Sequence, residues 1–174
     1  SIFFLLQSFL NPLNQKSDQS PAKLENGVCR TTPGFAEAYK LLIQGGWAGI
    51  SGDQKYGGMG LPSTVTGCFN EYFGSACLSF SLLFLMNQGQ IDALENHANE
   101  DIKNIFLPKL NSGEWTGTMN LTEPHAGSDV GALTTKAEKN SDGSYAITGQ
   151  KIYISWGEHD LSNNICHLVL ARLP

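Results

Sequence analysis

The sequence predicts an α+β chain: a helical bundle followed by an antiparallel β domain, with the change near residue 112. Three observations carry this. Apolar residues recur at helical spacing from Phe35 to about Leu110. That period disappears from Trp115 onward. Asp142-Gly143 then lies between two short strand-like runs, a strong hairpin signal. Residues 1–112 therefore read as an N-terminal helical unit and residues 113–174 as a β unit.

Ile2 to Leu10 is apolar and reads as an amphipathic or buried first helix. Asn11 to Cys29 is polar, with Pro12, Pro21 and Gly27, and reads as a loop. Thr32-Pro33 reads as a helix start, with Thr32 as N-cap and Pro33 as first helical residue. Phe35, Ala38, Tyr39, Leu42 and Ile43 form one face of that helix, and Gly45-Gly46 stops it. A glycine-rich loop spans Trp47 to Pro62. Ser63 to about Met86 is apolar nearly all round and reads as a buried helix, and Gln88 to His97 as a shorter one. Asn99 caps a further helix ending near Leu110. Beyond Gly113, strands are predicted over Trp115 to Leu121, Leu133 to Lys139, Ser144 to Thr148 and Gln150 to Trp156. Ile165 to Ala171 reads as a central strand, because its apolar run is nearly continuous.

Apolar residues make up 41% of the 174, enough for a real core. Charged residues make up only 16%, which points to a surface that further chain or a partner subunit covers. The net charge is −5 and the lysines are scattered, which argues against nucleic acid as a partner. The apolar N-terminal run is too short to span a bilayer and lacks the basic start of a signal peptide. Cys29, Cys68, Cys77 and Cys166 form no Cys-x-x-Cys pair and no zinc-type spacing, so no metal site is expected. They read as free buried thiols of a cytoplasmic protein. Ser1 stands where an initiating Met would, and Pro174 follows a strand-like run directly, so both ends read as cut.

The chemistry concentrates in Thr118-Met-Asn-Leu-Thr-Glu-Pro-His-Ala-Gly-Ser-Asp-Val-Gly131. A strand there ends in a loop of small and hydroxyl residues whose N–H groups suit anionic oxygens. Gly127 allows close backbone approach, and Thr122 and Ser128 supply hydroxyl donors. On these grounds alone, a phosphate or cofactor loop and an ordinary Pro/Gly turn both stand. Glu123 and Asp129 read as carboxylates that fix the loop through local N–H groups. His125 reads as loop packing, and His97, His159 and His167 as structural. Met86, Gln90 and Leu94 share a helical face, either as core or as a pocket wall.

Leu121 to Gly131 resembles the signature of the acyl-CoA dehydrogenase family, as does Ile147-Thr-Gly-Gln-Lys-Ile-Tyr-Ile-Ser-Trp-Gly157. Trp47-Ala-Gly-Ile50, Tyr56-Gly-Gly-Met-Gly-Leu-Pro62 and Leu107-Pro-Lys-Leu-Asn-Ser-Gly-Glu-Trp115 are similar to further family segments, in order. Gly157 to Leu161 and Asn164 to Pro174 resemble the subgroup similar to 3-methylmercaptopropionyl-CoA dehydrogenase. The resemblance implies a flavoenzyme of fatty-acid metabolism that α,β-desaturates an acyl-CoA thioester and passes a hydride to FAD. It implies that the chain stops before a C-terminal four-helix domain carrying the glutamate base, leaving no catalytic residue within it and the 174 residues alone inactive.

The same resemblance places Met119, Leu121 and Thr122 beside the flavin, with Thr122 on its pyrimidine edge. Gly127 and Ser128 fall at the pyrophosphate or CoA. Tyr153 packs on the ring where relatives carry Trp or Phe. Ile154 lies in the same segment, and Ser155, where relatives carry Thr, bonds near N5. Gln90 and Leu94, with Ser128, become substrate contacts. A separate acceptor such as an electron-transfer flavoprotein and a homo-oligomer, dimer or tetramer, are implied as partners. An acyl-CoA oxidase, a catalytically inert relative and a non-catalytic interaction module are the alternatives.

Overall fold

The computed structural model describes residues 2–174; Ser1 lies outside them. The N-terminal run is one helical stretch: α1 (Ile2–Leu5), a π-helical turn (Leu6–Leu10) and α2 (Asn11–Gln19). Leu6, Leu10 and Leu13 are buried on it, as the amphipathic reading expects. The loop expected over residues 11–29 is replaced by α2 and a hairpin. Pro12 falls in the first turn of α2, directly after the π turn, where the regular ladder is already interrupted. The hairpin pairs β1 (Lys23–Glu25) with β2 (Val28–Arg30), antiparallel, with Glu25 opposite Val28. Its turn is Asn26-Gly27, both at positive φ (52° and 80°), the two-residue geometry that Asn-Gly favours.

Helix α3 spans Phe35–Gln44 and buries Phe35, Ala38, Tyr39 and Leu42. Its start differs from the expectation. Gly34 is left-handed at φ 107°, so the helix cannot include Pro33. The Thr32 hydroxyl instead donates to the Ser20 carbonyl at 2.9 Å. Gly46, at φ 76°, ends the helix as expected.

The long apolar run is two helices, α4 (Ser63–Ala76) and α5 (Leu78–His97), broken at Cys77 rather than near residue 87. Cys77 is extended (φ −158°, ψ 91°) and fully buried. Gly74 in the last turn of α4 weakens the helix there, and packing explains the break. The rings of Phe73 and Phe84 lie 5.3 Å apart. One straight helix would separate those positions by roughly 16 Å at its usual rise per residue. Phe69, Phe73, Phe80 and Phe84 fill the core between the two helices. Helix α6 (Glu100–Ser112) is capped by Asn99, which accepts from Ile102 N–H at 2.9 Å. It ends at Gly113, φ 74°, whose carbonyl accepts the Tyr39 hydroxyl at 2.6 Å.

Beyond Gly113 the strands are β3 (Trp115–Asn120), β4 (Lys136–Lys139), β5 (Tyr145–Thr148) and β6 (Asn164–Val169). β4 and β5 form the expected antiparallel hairpin. β3 and β6, expected to be antiparallel like the rest, pair in parallel from Trp115↔Asn164 to Asn120↔Val169. The expected strand over Gln150 to Trp156 does not form. Tyr153 and Trp156 adopt positive φ (57° and 55°), which breaks the pleat, and Ile152 N–H makes a single backbone bond to Thr122 O at 2.9 Å. Among the described residues β6 pairs with β3 alone, and its residues are exposed or half-buried rather than fully buried.

β3 lies directly on α5. A Cβ on Gly117 would stand 1.9 Å from Gln90 Oε1, and one on Gly89 would stand 3.1 Å from Met119 Cε. No helix among the described residues is long and apolar enough to cross a membrane. All four cysteines are free, but only Cys77 is fully buried; Cys68 is exposed, and Cys29 and Cys166 are half-buried.

Candidate cofactor-binding site

The loop leaving β3 is pinned by one carboxylate. Glu123 is 2% exposed. It accepts from Thr134 N–H (2.7 Å), the Thr134 hydroxyl (2.9 Å), Thr135 N–H (3.0 Å) and Lys151 Nζ (2.9 Å). The Thr135 hydroxyl beside it, the Thr134 N–H and the Lys151 ammonium hold its carboxyl well below the usual carboxylate range, against the opposing effect of burial. Lys151 Nζ also donates to Leu121 O at 2.9 Å. One ammonium thus ties residues 121–123 to residues 151–152, where Ile152 N–H already reaches Thr122 O. Glu123 and Ala126 exchange backbone bonds of 2.9 and 3.1 Å, which tightens the turn. Arg172 braces the far side through Leu133 O at 2.8 Å and through Gly131 O.

Glu123 therefore fixes the loop, as its position suggested. Asp129 does not: its side chain caps nothing at the short turn that follows it. Its backbone carbonyl accepts from Ala132 N–H instead. His125 is a loop contact, exposed, with Nε2 3.2 Å from Ala132 O.

Around this clamp the sequence-predicted residues fall into two groups. Thr122 is half-buried beside Gly127, whose added Cβ would find only the Thr122 methyl, at 3.8 Å. Gly127 and Ser128 are exposed, and no backbone carbonyl among the described residues accepts the N–H groups of Gly127, Ser128 or Asp129. Such free donors suit the oxygens of a pyrophosphate. Leu121 is exposed, and Met119 is half-buried against α5. Tyr153 is 89% exposed in a left-handed conformation that costs a bulky residue of order 1 kcal/mol, and exposed Ser155 and half-buried Ile154 follow it. An exposed ring held this way offers a stacking face, and the set as a whole fits a flavin dinucleotide.

Gln90 and Leu94 form the second group, and they are packed. Gln90 is 1% exposed and donates to Cys166 Sγ at 3.0 Å. Leu94 belongs to a core cluster with Tyr56, Ile91, Leu107 and Leu110. Their shared face on α5 lies under the strands, and β3 packing determines this rather than the helical spacing. Lys151 was not singled out by the sequence reading, although its standing as the one charged residue between Ile147 and Gly157 was a usable signal.

His159 is structural and buried. Its Nδ1 accepts from Leu161 N–H at 3.1 Å, so the proton sits on Nε2, which lies 2.9 Å from the Thr116 hydroxyl. Burial lowers its pKa from 6.5, partly opposed by Glu158 and Asp160. The unfolded chain then binds a proton that the folded chain refuses. Stability is full above the unfolded value and falls as pH drops below it, with a slope of at most ~1.4 kcal/mol per pH unit. Urea unfolding between about pH 7.5 and about pH 5.5 is expected to show this loss, and His159→Gln to flatten it. An unchanged slope in the variant assigns the effect to another group.

A helical unit whose last helix leads into a strand lying on α5, with a clamped loop of free N–H groups beyond it, places the chain in the α+β class. The acyl-CoA dehydrogenase N-terminal domain model matches residues 22–114. The chain belongs to the acyl-CoA dehydrogenase family. It is 47% identical to 3-methylmercaptopropionyl-CoA dehydrogenase of Ruegeria pomeroyi over 163 residues, covering 94% of this chain and 28% of that protein. It is 36% identical to a butyryl-CoA dehydrogenase of Syntrophomonas wolfei, covering 99% of this chain and 29% of that protein. The chain thus spans less than a third of the length of either relative. Its fold is similar to that of an acyl-CoA dehydrogenase from Bacillus anthracis solved in complex with FAD. The TM-score is 0.77 at 22% identity, covering 98% of this chain and 27% of that one.

Proposed function

We propose that this chain is the flavin-facing front of a protein that α,β-desaturates an acyl-CoA thioester. The observation that carries the reading is the Glu123–Lys151 clamp, which presents Thr122, the Gly127–Ser128 N–H groups and the exposed Tyr153 ring together. Residues 1–112 and 113–174 are read as its helical unit and the start of its β unit. FAD, when bound, supplies the acceptor for the substrate's β-hydride. Thr122 and the Leu121 backbone would hold the pyrimidine edge of FAD, Tyr153 and Ser155 would contact its ring system, and Gly127 and Ser128 would receive its phosphate oxygens.

A base must take the α-proton as the β-hydride leaves, so that the C=C bond forms and two electrons go on to a separate acceptor such as an electron-transfer flavoprotein. The carboxylates most closely held here do not suit that role. Glu123 is sealed by its donors, and Asp160 is engaged by Thr31 and Arg30. Glu158 receives His159 N–H. The base is read as coming from another part of the parent protein, which works as a homo-oligomer in the cytoplasm. The name of the Ruegeria relative makes a thioether-bearing short acyl group the first substrate to try.

The test is a visible spectrum of the purified full-length protein, followed by a panel of acyl-CoAs without oxygen. A bound flavin that bleaches with one of them is the expected result. A flavin that no acyl-CoA bleaches would sink the activity, and a colourless protein that takes up no FAD would undo the site.

A further inference from the structure

The turn that carries Ser155 is held from outside. Gly157 N–H donates to Ile154 O at 3.1 Å and closes a four-residue turn, 154–157. Trp156 stands third in it at φ 55°, a place that favours glycine or asparagine. A bulky residue persists there only when its surroundings over-determine it. On its N-terminal side the segment is held at Lys151 and Ile152. On its C-terminal side Trp156 Nε1–H donates to Ser79 O at 2.9 Å, at the start of α5, and His159 meets Thr116.

The third hold on that side is Asp160. Its Oδ1 accepts from the Thr31 hydroxyl at 2.8 Å and from Thr31 N–H at 3.2 Å, and its Oδ2 lies 3.5 Å from the Arg30 guanidinium. These donors stand at the end of the β1–β2 hairpin. Lys23–Glu25 is exposed along its whole length, and in Val28–Arg30 only Cys29 is half-buried. Two strands of three residues are marginal without support. Among the described residues, every hydrogen bond from residues 21–31 to the rest of the fold ends on Asp160. Packing does not take over the task. A cavity of about 240 Å3 lies between Ala22 and Thr31 on one side and Ile154, Trp156, Gly157 and Glu158 on the other. Close packing fixes a spacing by contact, whereas across a gap the bonds must fix it.

We propose that Asp160 is a positioning residue: by tying the hairpin to the segment after β5, it fixes the turn that presents Tyr153 and Ser155 to the flavin. This rests on the flavin reading above. The carboxylate suits the task, because one group takes two donors from Thr31 and a cation from Arg30, and bonds to an ionised acceptor are the stronger kind. With that tie gone, residues 153–157 lose one of the holds that keep two left-handed residues, Tyr153 and Trp156, in place.

The experiment uses the full-length protein with and without FAD. Asp160→Ala is expected to weaken FAD binding about 10-fold, read as a dissociation constant from flavin fluorescence, and to shift the visible band of the bound flavin at saturation. Asp160→Asn keeps an acceptor for Thr31 and should recover most of the loss. Thr31→Val added to Asp160→Ala should cost nothing further, since both act through one contact. In the FAD-free protein the Gly157 amide should exchange with deuterium faster in Asp160→Ala, by about 10-fold. Asp142→Ala is the control. Its carboxylate fixes the β4–β5 turn by accepting from Ser144 N–H at 2.9 Å, and its loss should leave flavin affinity and spectrum alone. Asp160→Ala with wild-type affinity, spectrum and Gly157 exchange overturns the proposal, as does a lowered melting temperature with an unmoved flavin band, or the same band shift in Asp142→Ala. A wild-type protein that takes up no FAD overturns the function reading instead, and Gly157 exchange then decides whether Asp160 holds the turn.

Discussion

Lys151→Met is expected to lower the rate of flavin bleaching by acyl-CoA by ~100-fold, the usual consequence of a misplacement near 1 Å in a reacting pair. The substrate KM should stay within a few-fold. The cause is local. Lys151 is 9% exposed and is shared between Glu123 Oε1 and Leu121 O. Without it, Glu123 keeps its threonine donors but loses its countercharge while remaining buried. Breaking one side of a buried pair is far more damaging than never having built it, and a fall in melting temperature of about 10 °C is expected. Residues 121–123 and 151–152 would then keep only the Ile152–Thr122 backbone bond between them. Lys151→Arg keeps the charge and should recover most of the rate. Equal melting temperatures and rates for Lys151→Met and wild type would show that the clamp is idle.

The clamp is intact at neutral pH. The folded Glu123 carboxyl titrates well below its ordinary value, so its contribution is present above that ordinary value and is lost as pH falls through the folded one.

The second large effect lies in the glycine-rich loop. Gly58→Ala is expected to cost about 3 kcal/mol or more, measured by urea unfolding. A Cβ there would stand 2.0 Å from Gly52 O and 2.2 Å from its carbonyl carbon, both backbone atoms. Those atoms cannot move aside, because Gly60 N–H bonds Gly52 O at 2.9 Å and Gly58 N–H bonds Asp53 O at 3.0 Å. The neighbouring Gly57 is the control. It has φ 83° and nothing within 4 Å of an added Cβ, so Gly57→Ala should cost only the ~1 kcal/mol of its conformation. Equal costs for the two would refute the close-approach account.

Much of this was legible without coordinates. The α3 face, the Asn99 cap, the Asp142-Gly143 hairpin and the loop after β3 all rest on local rules. Spacing selects a buried face, a side chain reaches an N–H a few residues on, and a dipeptide selects a turn. Asn26-Gly27 carried the same kind of signal and marks the β1–β2 turn. The break at Cys77 was not legible, because Gly74 is only one of several small or polar residues along the run and the meeting of Phe73 with Phe84 selects the place. The parallel pairing of β3 with β6 was not legible either, since alternation fixes a strand's faces and not its partner.

The sequence alone determined the helical and strand segments with caps or turns of their own, and the motif that marks the family. Tertiary structure decided that Gln90 and Leu94 are core, that residues 150–156 are no strand, and that Lys151 closes over Glu123. Each of these depends on which distant segment lies alongside, and contacts between residues far apart in sequence leave no periodic trace in either one.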